Sequence, residues 1–551
     1  MQNKKIVVFI PLIIFAFALS IRFVYLYQMR DNPMFYNIPE GLDQERFDKF
    51  SLQISQGDIL GGKGIYSQSP LYPYFLASIY SLFGHHYIMV RIFQIIMGAG
   101  ICVLLYLIGS RIFNRTVGII SGIICSLYGV LIFYEGELLR VTITVFLTVL
   151  LVFSIVRFSK SKKAAIWLIP GIVLGLLILC RPNNIILVLS ILIWIVYVTL
   201  KNKKLLIKRF MCFFFGVLFA LTPLFIRNHI VGVNLFSMSS QGVNAFICGH
   251  DARSTGCGFH YIQDDTYSGK NQIQVCFSIL RTAFKTPSKW FKQQIKKSIA
   301  FWNGYEIPNN SNFYLSRRFS SLLSLPLPGF VFIASMGIIG IIVSIRNWQK
   351  YLLVYLIIIG CFCSVMAFYI LSRFRQPIVP FLILFTGFFI DWLWKKAKDK
   401  DLKKLVLPLL CAAFLSFLMW PRPQQFILPQ DHYNTGLSYV MGKKYSNAIT
   451  QFDNAIKLRA NYLKPIYMKG FCLLRQRKPR LAIREFEEVL KLDPYYAKAL
   501  KSTAIAYGAY IGDKSRAVYY LDRYLKLCPD DIEMSKVRQS IGNNLKHQNQ
   551  N

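Results

Sequence analysis

Long apolar runs separated by basic connections constrain this chain more than any other feature. About eleven runs approach the length of roughly 20 residues that a helix needs to cross a bilayer. They lie near 6–27, 87–108, 117–134, 138–156, 164–180, 184–200, 210–226, 326–345, 351–371, 378–394 and 404–420. With 54% hydrophobic and 16% charged residues, the chain cannot fold as a single soluble globule. It is predicted to be an all-α, polytopic membrane protein.

The connections between these runs predict an orientation. Lys and Arg cluster at every second connection, in MQNKK, GSRIFNR, RFSKSKK, KNKKLLIKR, RNWQK and KKAKDKDLKK. Basic connections stay in the cytoplasm, so the N-terminus is predicted to be cytoplasmic, in a multi-pass protein of a bacterial inner membrane. The other side then holds the loops 28–86 and 227–325 and the C-terminal tail. The run 72–84 is too short to span comfortably and is predicted to be an interfacial helix.

The net charge of +38 suggests nucleic acid or anionic lipid as a partner. The basic residues lie mostly between apolar runs, where orientation and anionic lipid account for them. We therefore predict membrane lipids as partners and no nucleic acid. The twelve cysteines fall mostly within apolar runs, without a CxxC pair, and are interpreted as packing residues.

Residues 1–425 are predicted to form the membrane domain, and the tail that follows has a different pattern. A repeat of 34 or 35 residues covers 431–535. Ala448, Ala482 and Ala517 are equivalent in it, as are Phe452, Phe486 and Leu521. A helical hairpin of this period resembles the tetratricopeptide repeat, whose stacks bind partners on a concave surface. About three repeats are predicted, with a protein partner as their implied ligand, followed by a polar tail over 536–551.

One carboxylate of the first outer loop stands apart from its neighbours. In LDQERFDKFSLQISQGD, read as a helix, Asp43 shares a narrow arc with Phe47, Phe50 and Ile54, whereas Glu45, Asp48 and Lys49 lie on the opposite, solvated side. An acid on an apolar face is costly without a partner or a role. Asp43 is thus a candidate for chemistry, and helix capping is the alternative.

Further polar residues interrupt apolar context on the same predicted side. They are Glu135, Glu137, Arg181, Asn183, Arg227, Asn228, Arg373 and Arg375. Each arginine can be read as a membrane anchor whose head reaches water. Arginine is nevertheless disfavoured in outer connections, and four of these residues are arginines. Carboxylates and arginines on one membrane face predict a site that handles an anionic group, such as a phosphate, beside an acid–base step.

The ordered segments of residues 1–395 resemble glycosyltransferase family 39 of the GT-C superfamily, which is related to protein O-mannosyltransferases and the lipid A aminoarabinose transferase. The resembling segments are LDQERFDKFSLQISQGD, YSQSPLYPYFLASIYSLFG, FYEGELL, CRPNN, IRNHIVGVNLFSMSSQGVNAFICGH, YEIPNNSNFY and RFRQPIVPFLI. The resemblance implies a GT-C fold with interfacial helices in the first outer loop. It also implies an inverting transfer of sugar from a polyprenyl-phosphate donor to an acceptor hydroxyl on the extracytoplasmic face.

The resemblance also implies roles for particular residues. Asp43 matches the general base, with burial expected to raise its pKa, and Glu137 matches a second acid that orients the acceptor or a cation. Arg373, Arg375 and Arg227 are the implied ligands of the donor phosphate. The substrate-binding candidates are Glu135, Arg181, Asn183, Tyr72 and Asn244. Gln44 and Ser69 depart from the family pattern, so the sugar and the acceptor (protein, lipid or glycan) stay open.

The sequence also bears on metals and disulfides. Asp43 and Glu137 can share a divalent cation, but no His-rich ligand set accompanies them and His85 and His86 are read as interfacial, so no metal site or cofactor is assigned. Cys248 and Cys257 can pair, while Cys276 leaves the partner open.

Two other classes of function compete with an enzyme. A transporter or flippase of lipid-linked sugars would place charges mid-span and carry an internal repeat, and the sequence shows neither. A non-catalytic anchor that presents the repeats would explain the tail but not the spans with polar outer ends.

Overall fold

The structure is a computed structural model that describes residues 2–200, 202–251, 254–258, 272–423 and 425–548. Within these residues the secondary structure is helical, apart from an isolated bridge between Cys257 and Ile370. The chain divides into two compact units. One comprises Met1–Met29 and Leu42–Pro423, and the other comprises Arg30–Gly41 and Gln424–Asn551.

The first unit contains twenty of the described helices. In chain order, the first ten are α1 (Gln2–Gln28), α2 (Asp43–Ser55), α3 (Leu71–Phe83), α4 (Tyr87–Ile112), α5 (Arg115–Leu127), α6 (Gly129–Glu135), α7 (Val141–Phe158), α8 (Leu168–Cys180), α9 (Ile186–Thr199) and α10 (Lys203–Val231). The others are α11 (Gln241–His250), α12 (Gln272–Lys285), α13 (Pro287–Trp302), α14 (Phe313–Ser316), α15 (Ser321–Ser324), α16 (Phe330–Ser344), α17 (Trp348–Met366), α18 (Ser372–Arg375), α19 (Val379–Lys398) and α20 (Lys403–Met419).

These helices confirm the predicted all-α, polytopic architecture. In the part of the chain that the structure describes, seven helical runs are long and apolar enough to cross a membrane, or eight if the bent pair α5–α6 counts as one span. All eleven predicted spans coincide with helices. The runs predicted at 164–180 and 404–420 correspond to shorter helical segments, Ala164–Cys180 and Lys403–Met419.

The longest apolar run, Phe330–Met366, is not one straight span. The Ser344 hydroxyl lies 2.7 Å from the hydroxyl of Tyr355, eleven residues further along the chain. A straight helix would separate these positions by about 16 Å at 1.5 Å per residue. The chain therefore folds back at Ile345–Asn347, and α16 and α17 are two helices, as the sequence predicts.

Helices α8 and α10 pack with their backbones almost in contact. A Cβ atom at Gly171 would lie 2.1 Å from the carbonyl oxygen of Phe213, and one at Gly216 would lie 2.4 Å from that of Leu168. Small residues at such contacts let apolar helices approach closely within a membrane. The contact lies in the first turn of α8, and Arg181 follows the last residue of this helix, Cys180.

Helix α2 begins at Asp43 itself. Its N-cap is Leu42, which has extended backbone angles and makes no side-chain cap hydrogen bond. Asp43 is thus the first helical residue, and the capping interpretation of this acid is wrong. The apolar run predicted at 72–84 forms α3, which is 13 residues long.

The second unit is built from helical hairpins. Its helices are α21 (Pro429–Met441), α22 (Tyr445–Leu458), α23 (Leu463–Arg475), α24 (Pro479–Leu492), α25 (Ala497–Ile505), α26 (Lys514–Leu527) and α27 (Ile532–Gln548). The equivalent positions Ala448, Ala482 and Ala517 are all fully buried, as expected for repeats that stack through one face. The predicted polar tail begins inside α27.

A segment from the first loop also belongs to this second unit. The Thr435 hydroxyl lies 3.8 Å from the Met34 sulfur, and a Cβ atom at Gly442 would lie 3.0 Å from the Asn37 side-chain nitrogen. Arg30–Gly41 therefore packs with the repeat helices, although it directly precedes α2 in the sequence.

Candidate active site

A buried carboxylate, Asp48, on the side of α2 opposite Asp43 holds this helix in place. Asp48 accepts hydrogen bonds from the hydroxyls of Tyr80 and Tyr87, both at 2.8 Å, and lies 2.7 Å from Nε2 of His85. Asp48 is only 7% exposed, so its predicted place on a solvated face is wrong. His85, predicted to be interfacial, joins this network. Together the three partners fix α2 against α3 and α4 and thereby orient Asp43.

Asp43 sits at the centre of a polar cluster. Its Oδ2 accepts from Nη2 of Arg373 at 2.7 Å and from Nδ2 of Asn310 at 2.8 Å, and its Oδ1 accepts from Gln68 at 3.4 Å. About a fifth of its side chain, 19%, remains exposed. The carboxylate is therefore both anchored by donors and open to a ligand.

The electrostatics of Asp43 differ from the sequence-based expectation. Burial acts to raise the pKa of Asp43, as expected, but the Arg373 guanidinium and the Asn310 hydrogen bond outweigh it. The net pKa lies below its ordinary value of 3.8, because both partners favour the charged form. Asp43 is thus ionised at neutral pH while Arg373 remains beside it.

The second predicted acid, Glu137, lies in a separate arrangement of donors. Its Oε2 accepts from the Ser311 hydroxyl at 2.6 Å and from the Gln44 side-chain nitrogen at 3.1 Å. Burial raises the pKa of Glu137, and Ser311, Arg91 and Gln44 offset part of that rise. Asn310 and Ser311, which are neighbours in the chain, therefore contact one acid each and link the two.

The loop that carries Glu137 is fixed through its backbone by α4. Gln94 donates to the carbonyls of Glu135 and Glu137, at 2.8 and 2.9 Å, and Arg91 donates to that of Gly136 at 2.7 Å. A Cβ atom at Gly136 would lie 2.5 Å from the Tyr25 hydroxyl. The loop thus has little freedom to move, which suits a group that must hold a substrate in one orientation.

Three guanidinium groups converge near Asp43. Arg181 and Arg373 lie over the same ring, that of Phe374, with distances of 4.0 and 5.1 Å to its centroid. Arg140 donates to the Ser69 hydroxyl at 3.0 Å. Burial lowers the pKa of Arg181, and the charges of Arg140 and Arg373 lower it further. Such mutual repulsion favours binding of an anion among the three side chains.

A large apolar cavity adjoins this cluster. It has a volume of about 710 Å³ and lies between α3, α8, α10 and the loop before α3. Its lining includes Tyr66, Leu71, Tyr74, Leu176, Phe219 and Arg227. The same loop joins the cavity to the cluster, because Tyr66 and Pro70 line the cavity and Gln68 between them reaches Asp43.

Hydrogen bonds join the chain segment before Arg373 to residues of the loop 227–325. Lys297, fully buried, donates to the Met366 carbonyl at 2.6 Å, and His250 contacts the Ala367 carbonyl at 3.0 Å. Ile370 donates to the Gly256 carbonyl at 2.9 Å. Burial lowers the pKa of Lys297 to about 8. Lys297 and His250 satisfy carbonyls at the end of α17 and so position the turn that carries Arg373.

Asp43 and Glu137 do not fit a shared divalent cation. Their bonded oxygens face N–H and O–H donors, including the Arg373 guanidinium at 2.7 Å, whereas a cation needs converging, unprotonated oxygens. In the described ranges no group of three or more His, Cys, Asp or Glu side chains is placed to hold a metal.

Residues 67–226 match the family model described as dolichyl-phosphate-mannose-protein mannosyltransferase. This stretch includes Arg140, Arg181, Glu137 and the loop that joins Asp43 to the apolar cavity. The chain is a glycosyltransferase. Among curated proteins, none matches this glycosyltransferase.

Solved structures resemble the glycosyltransferase at low identity. ArnT from Cupriavidus metallidurans is 12% identical, with a TM-score of 0.42 over 96% of this chain and 76% of that one. AglB from Archaeoglobus fulgidus, solved with an inhibitory peptide and a dolichol-phosphate, is 11% identical, with a TM-score of 0.40 over 80% of this chain. The match spans only 59% of AglB. The first tetratricopeptide repeat domain of RPAP3 is 19% identical over 21% of this chain and 93% of that one, with a TM-score of 0.21.

Two predicted phosphate ligands of the glycosyltransferase lie in other settings. Arg375 is 1% exposed and pairs at 2.7 Å with Glu306, which is also buried, while it donates to the Phe301 carbonyl at 2.9 Å. Arg227 donates to the carbonyls of Leu60 and Gly62 at 2.9 and 3.0 Å. Both arginines therefore fix chain segments beside the site, Arg227 at the wall of the apolar cavity.

The predicted substrate-binding residues also separate. Glu135 is fully buried and pairs with Arg22 at 2.6 Å, and Tyr72 is fully buried with its hydroxyl 2.8 Å from Gln94. These two side chains contact other buried side chains of the protein, and not the position where a substrate was predicted. Asn183 donates to the Ser364 carbonyl at 3.0 Å, and Asn244 lies exposed on α11. Of the five candidates, the structure brings Arg181 to the cluster.

Several residues at the site were not predicted from the sequence, among them Gln68, Arg140, Glu306, Asn310 and Ser311. Arg140 begins an apolar span, where it resembles an ordinary membrane anchor. Asn310 and Ser311 lie in an uncharged polar segment, NNSN, in which no pattern separates one residue from the next. Glu306 precedes that segment as a lone acid, and its partner Arg375 is far along the chain.

Proposed function

We propose that this glycosyltransferase moves a sugar from a polyprenyl-phosphate donor to an acceptor hydroxyl, with Asp43 as the general base. The observation that carries the proposal is the convergence of Arg140, Arg181 and Arg373 on Asp43 beside a large apolar cavity. A donor of this class joins an isoprenoid chain to a phosphate, so it needs an apolar volume and a cationic site in contact with each other.

The three arginines bind the donor phosphate. Among the described side chains at the cluster, Asp43 is the carboxylate bonded to one of them, so positive charge is in excess. Their charge offsets the negative charge that grows on the phosphate as the sugar leaves. The isoprenoid chain occupies the 710 Å³ cavity, and the phosphate joined to it lies where Gln68, between the cavity-lining Tyr66 and Pro70, reaches Asp43.

The reaction is a single displacement at the sugar carbon. Asp43 takes the proton of the acceptor hydroxyl while the hydroxyl oxygen attacks the anomeric carbon. The bond from that carbon to the phosphate oxygen breaks, and the lipid phosphate leaves with the electron pair. Attack opposite to the leaving group inverts the configuration. Glu137, held by Gln44 and Ser311, orients the acceptor.

Donor binding prepares the base. In the structure Arg373 holds the pKa of Asp43 low, and a carboxylate bonded to a guanidinium is a weak base. A phosphate that attracts Arg373 weakens this ion pair, so the pKa of Asp43 rises and its Oδ2, left with Asn310 as its donor, can accept the proton of the acceptor hydroxyl. Donor binding thus makes Asp43 a stronger base for the acceptor hydroxyl.

Basic connections stay in the cytoplasm, so the remaining connections, which carry the polar cluster, are expected on the extracytoplasmic side. We propose a bacterial inner membrane as the location, with the N-terminus in the cytoplasm. The polar cluster lies at the connections after α1, α6, α8 and α17, which are the ones predicted to face outwards.

The test is release of polyprenyl phosphate by the purified, full-length protein in nanodiscs. Polyprenyl-phosphate mannose and related polyprenyl-phosphate sugars serve as donors, and membranes of cells that lack the protein supply the acceptor. We expect release with at least one donor, and its loss in D43N. The matched control is E45Q, at the acid of α2 that pairs with the exposed Lys49, and it should retain the wild-type rate. Release at the wild-type rate from D43N would overturn the assignment.

A further inference from the structure

The second outer loop contains a strongly basic pair of helices. Residues 272–302, which form α12 and α13, include six Lys or Arg and no Asp or Glu. Five of these cations, Arg281, Lys285, Lys289, Lys292 and Lys296, are exposed, and none of them pairs with a carboxylate of a described residue. The sixth, Lys297, is the buried residue that caps α17. Within the described residues of the first unit, the charge of these five cations is therefore not neutralised by the fold.

The same helices expose large apolar side chains. Phe277, Phe284 and Phe291 recur every seven residues and are 68%, 83% and 61% exposed. Ile295 and Ile299 continue the pattern on α13. Cations interleaved with exposed aromatic and aliphatic residues are typical of helices that lie in a membrane interface. The ring of Trp302, at the end of α13, lies 6.1 Å from that of Phe362 on α17, which places this end of α13 beside an apolar span.

A groove runs between α13 and the C-terminal end of α20. It has a volume of about 370 Å³. Lys296 and Arg422 supply its positive charge, and Ile299, Tyr305, Leu418 and Trp420 supply most of its apolar and aromatic wall. Its lining shares no residue with that of the 710 Å³ cavity, so the two are distinct sites.

An apolar track continues from the groove along α20. Leu407, Leu410, Phe414 and Leu418 are spaced three or four residues apart and therefore share one face of the helix. Each of them is at least 58% exposed. A ligand that fits both parts has an anionic head at Lys296 and Arg422 and a long apolar chain against α20. An acidic peptide would match the cations but would leave this track uncovered.

We propose that this groove binds the phosphate headgroup of an anionic membrane lipid. Lys296 and Arg422 hold the phosphate, Trp420 and Tyr305 lie at headgroup level, as aromatic residues do at membrane interfaces, and the acyl chains follow Leu418 down α20. Basic pockets beside membrane helices bind lipid headgroups by this combination of charge and apolar contact. The site is independent of the transfer reaction.

The experiment measures lipid binding to the full-length protein. Short-chain phosphatidylglycerol and phosphatidylcholine of equal chain length are titrated against protein in detergent and followed by native mass spectrometry. We expect phosphatidylglycerol to bind about thirtyfold more tightly, the order of effect that two interfacial cations produce at about 1 kcal/mol each. K296E/R422E should abolish that preference, and W420A should weaken both lipids. K160E/K162E, which reverses two exposed lysines elsewhere in the first unit, is the matched control and should bind as wild type.

Three results would overturn the proposal. They are equal binding of the two lipids, an unchanged preference in K296E/R422E, and binding of inorganic phosphate as tight as that of phosphatidylglycerol, which would mean a phosphate site without lipid. All the substituted residues lie at the surface, and thermal unfolding of each variant in the same detergent verifies that it is folded.

Discussion

Two ion pairs whose arginines lie two residues apart in the sequence have opposite settings in this protein. Arg375 and Glu306 form a pair whose side chains are 1% and 4% exposed. Arg373 and Asp43 form a pair of the same length, 2.7 Å, whose side chains are 11% and 19% exposed. The sealed pair has no path to a substrate and fastens the segment that leads to Asn310, whereas the open pair can exchange its partners. Two ion pairs of equal length thus have different roles. The pair of Arg375 and Glu306 stabilises the fold, and the pair of Arg373 and Asp43 takes part in the reaction that we propose.

The largest effect should separate the two acids of these pairs. D43N removes the proposed base and should lower turnover by about 10²–10⁴-fold, the usual contribution of proton transfer, while unfolding changes little. E306Q should reduce the yield of folded protein, but the folded fraction should keep its turnover. Donor cleavage per folded molecule, quantified after gel filtration, measures both. Equal losses of turnover in the two variants would contradict the distinction.

The two arginines should separate in stability. R375M leaves Glu306 buried and uncompensated, which should cost about 3–5 kcal/mol of unfolding free energy. R373M leaves an acid that still reaches water, so its cost should be much smaller. Unfolding of both variants in mixed micelles, monitored by tryptophan fluorescence, provides the measurement. A larger loss of stability in R373M would mean that the open pair is the structural one.

The pH dependence should identify Arg373 as the partner of the base. In wild type the pKa of Asp43 lies below 3.8, so this acid stays ionised as pH falls towards that value. In R373Q the raising effect of burial is no longer opposed by the guanidinium. The acid limb of kcat/KM should therefore move to higher pH, because Asp43 becomes protonated earlier. R375Q is the matched control and should leave the limb in place.

The smallest effect is expected at the second acid. S311A removes one of the two hydrogen bonds that Glu137 accepts at Oε2, and Gln44 retains the other. We expect the KM for the acceptor to rise by about fivefold, equivalent to about 1 kcal/mol for one hydrogen bond, with kcat for a bound substrate nearly unchanged. A fall in kcat of the same size as in D43N would instead assign Glu137 to the proton transfer.

Much of the fold could be predicted because its signals are local. A membrane helix needs a continuous apolar stretch, so each predicted span coincides with a helix even where the helix proved short. The inward face of α2 follows from the helical repeat, and Asp43 lies on it. Asp48 was misplaced because its three partners, Tyr80, His85 and Tyr87, come from elements more than thirty residues away, which a helical wheel does not show.

The site was less predictable because its roles depend on contacts between distant segments. Arg373 and Arg375 look equivalent in the sequence, and their roles separate only because Glu306 seals one of them. Arg140 looks like the anchor of a span, and its proximity to Arg181 is a product of how α7 and α8 pack. Roles that depend on which distant chain segments meet are not encoded in any short pattern.

The first-loop segment Arg30–Gly41 changes how the chain can be divided. Because it packs with the repeat helices, the boundary between the two units crosses the chain at three places, and one crossing lies directly before Leu42, the N-cap of α2. A truncation after Pro423 would therefore not isolate the first unit intact. It would remove the helices against which Arg30–Gly41 packs, and this segment ends just before the proposed base, Asp43. The order of the chain and its division into units disagree here, so domain exchange with relatives must transfer the loop and the tail together.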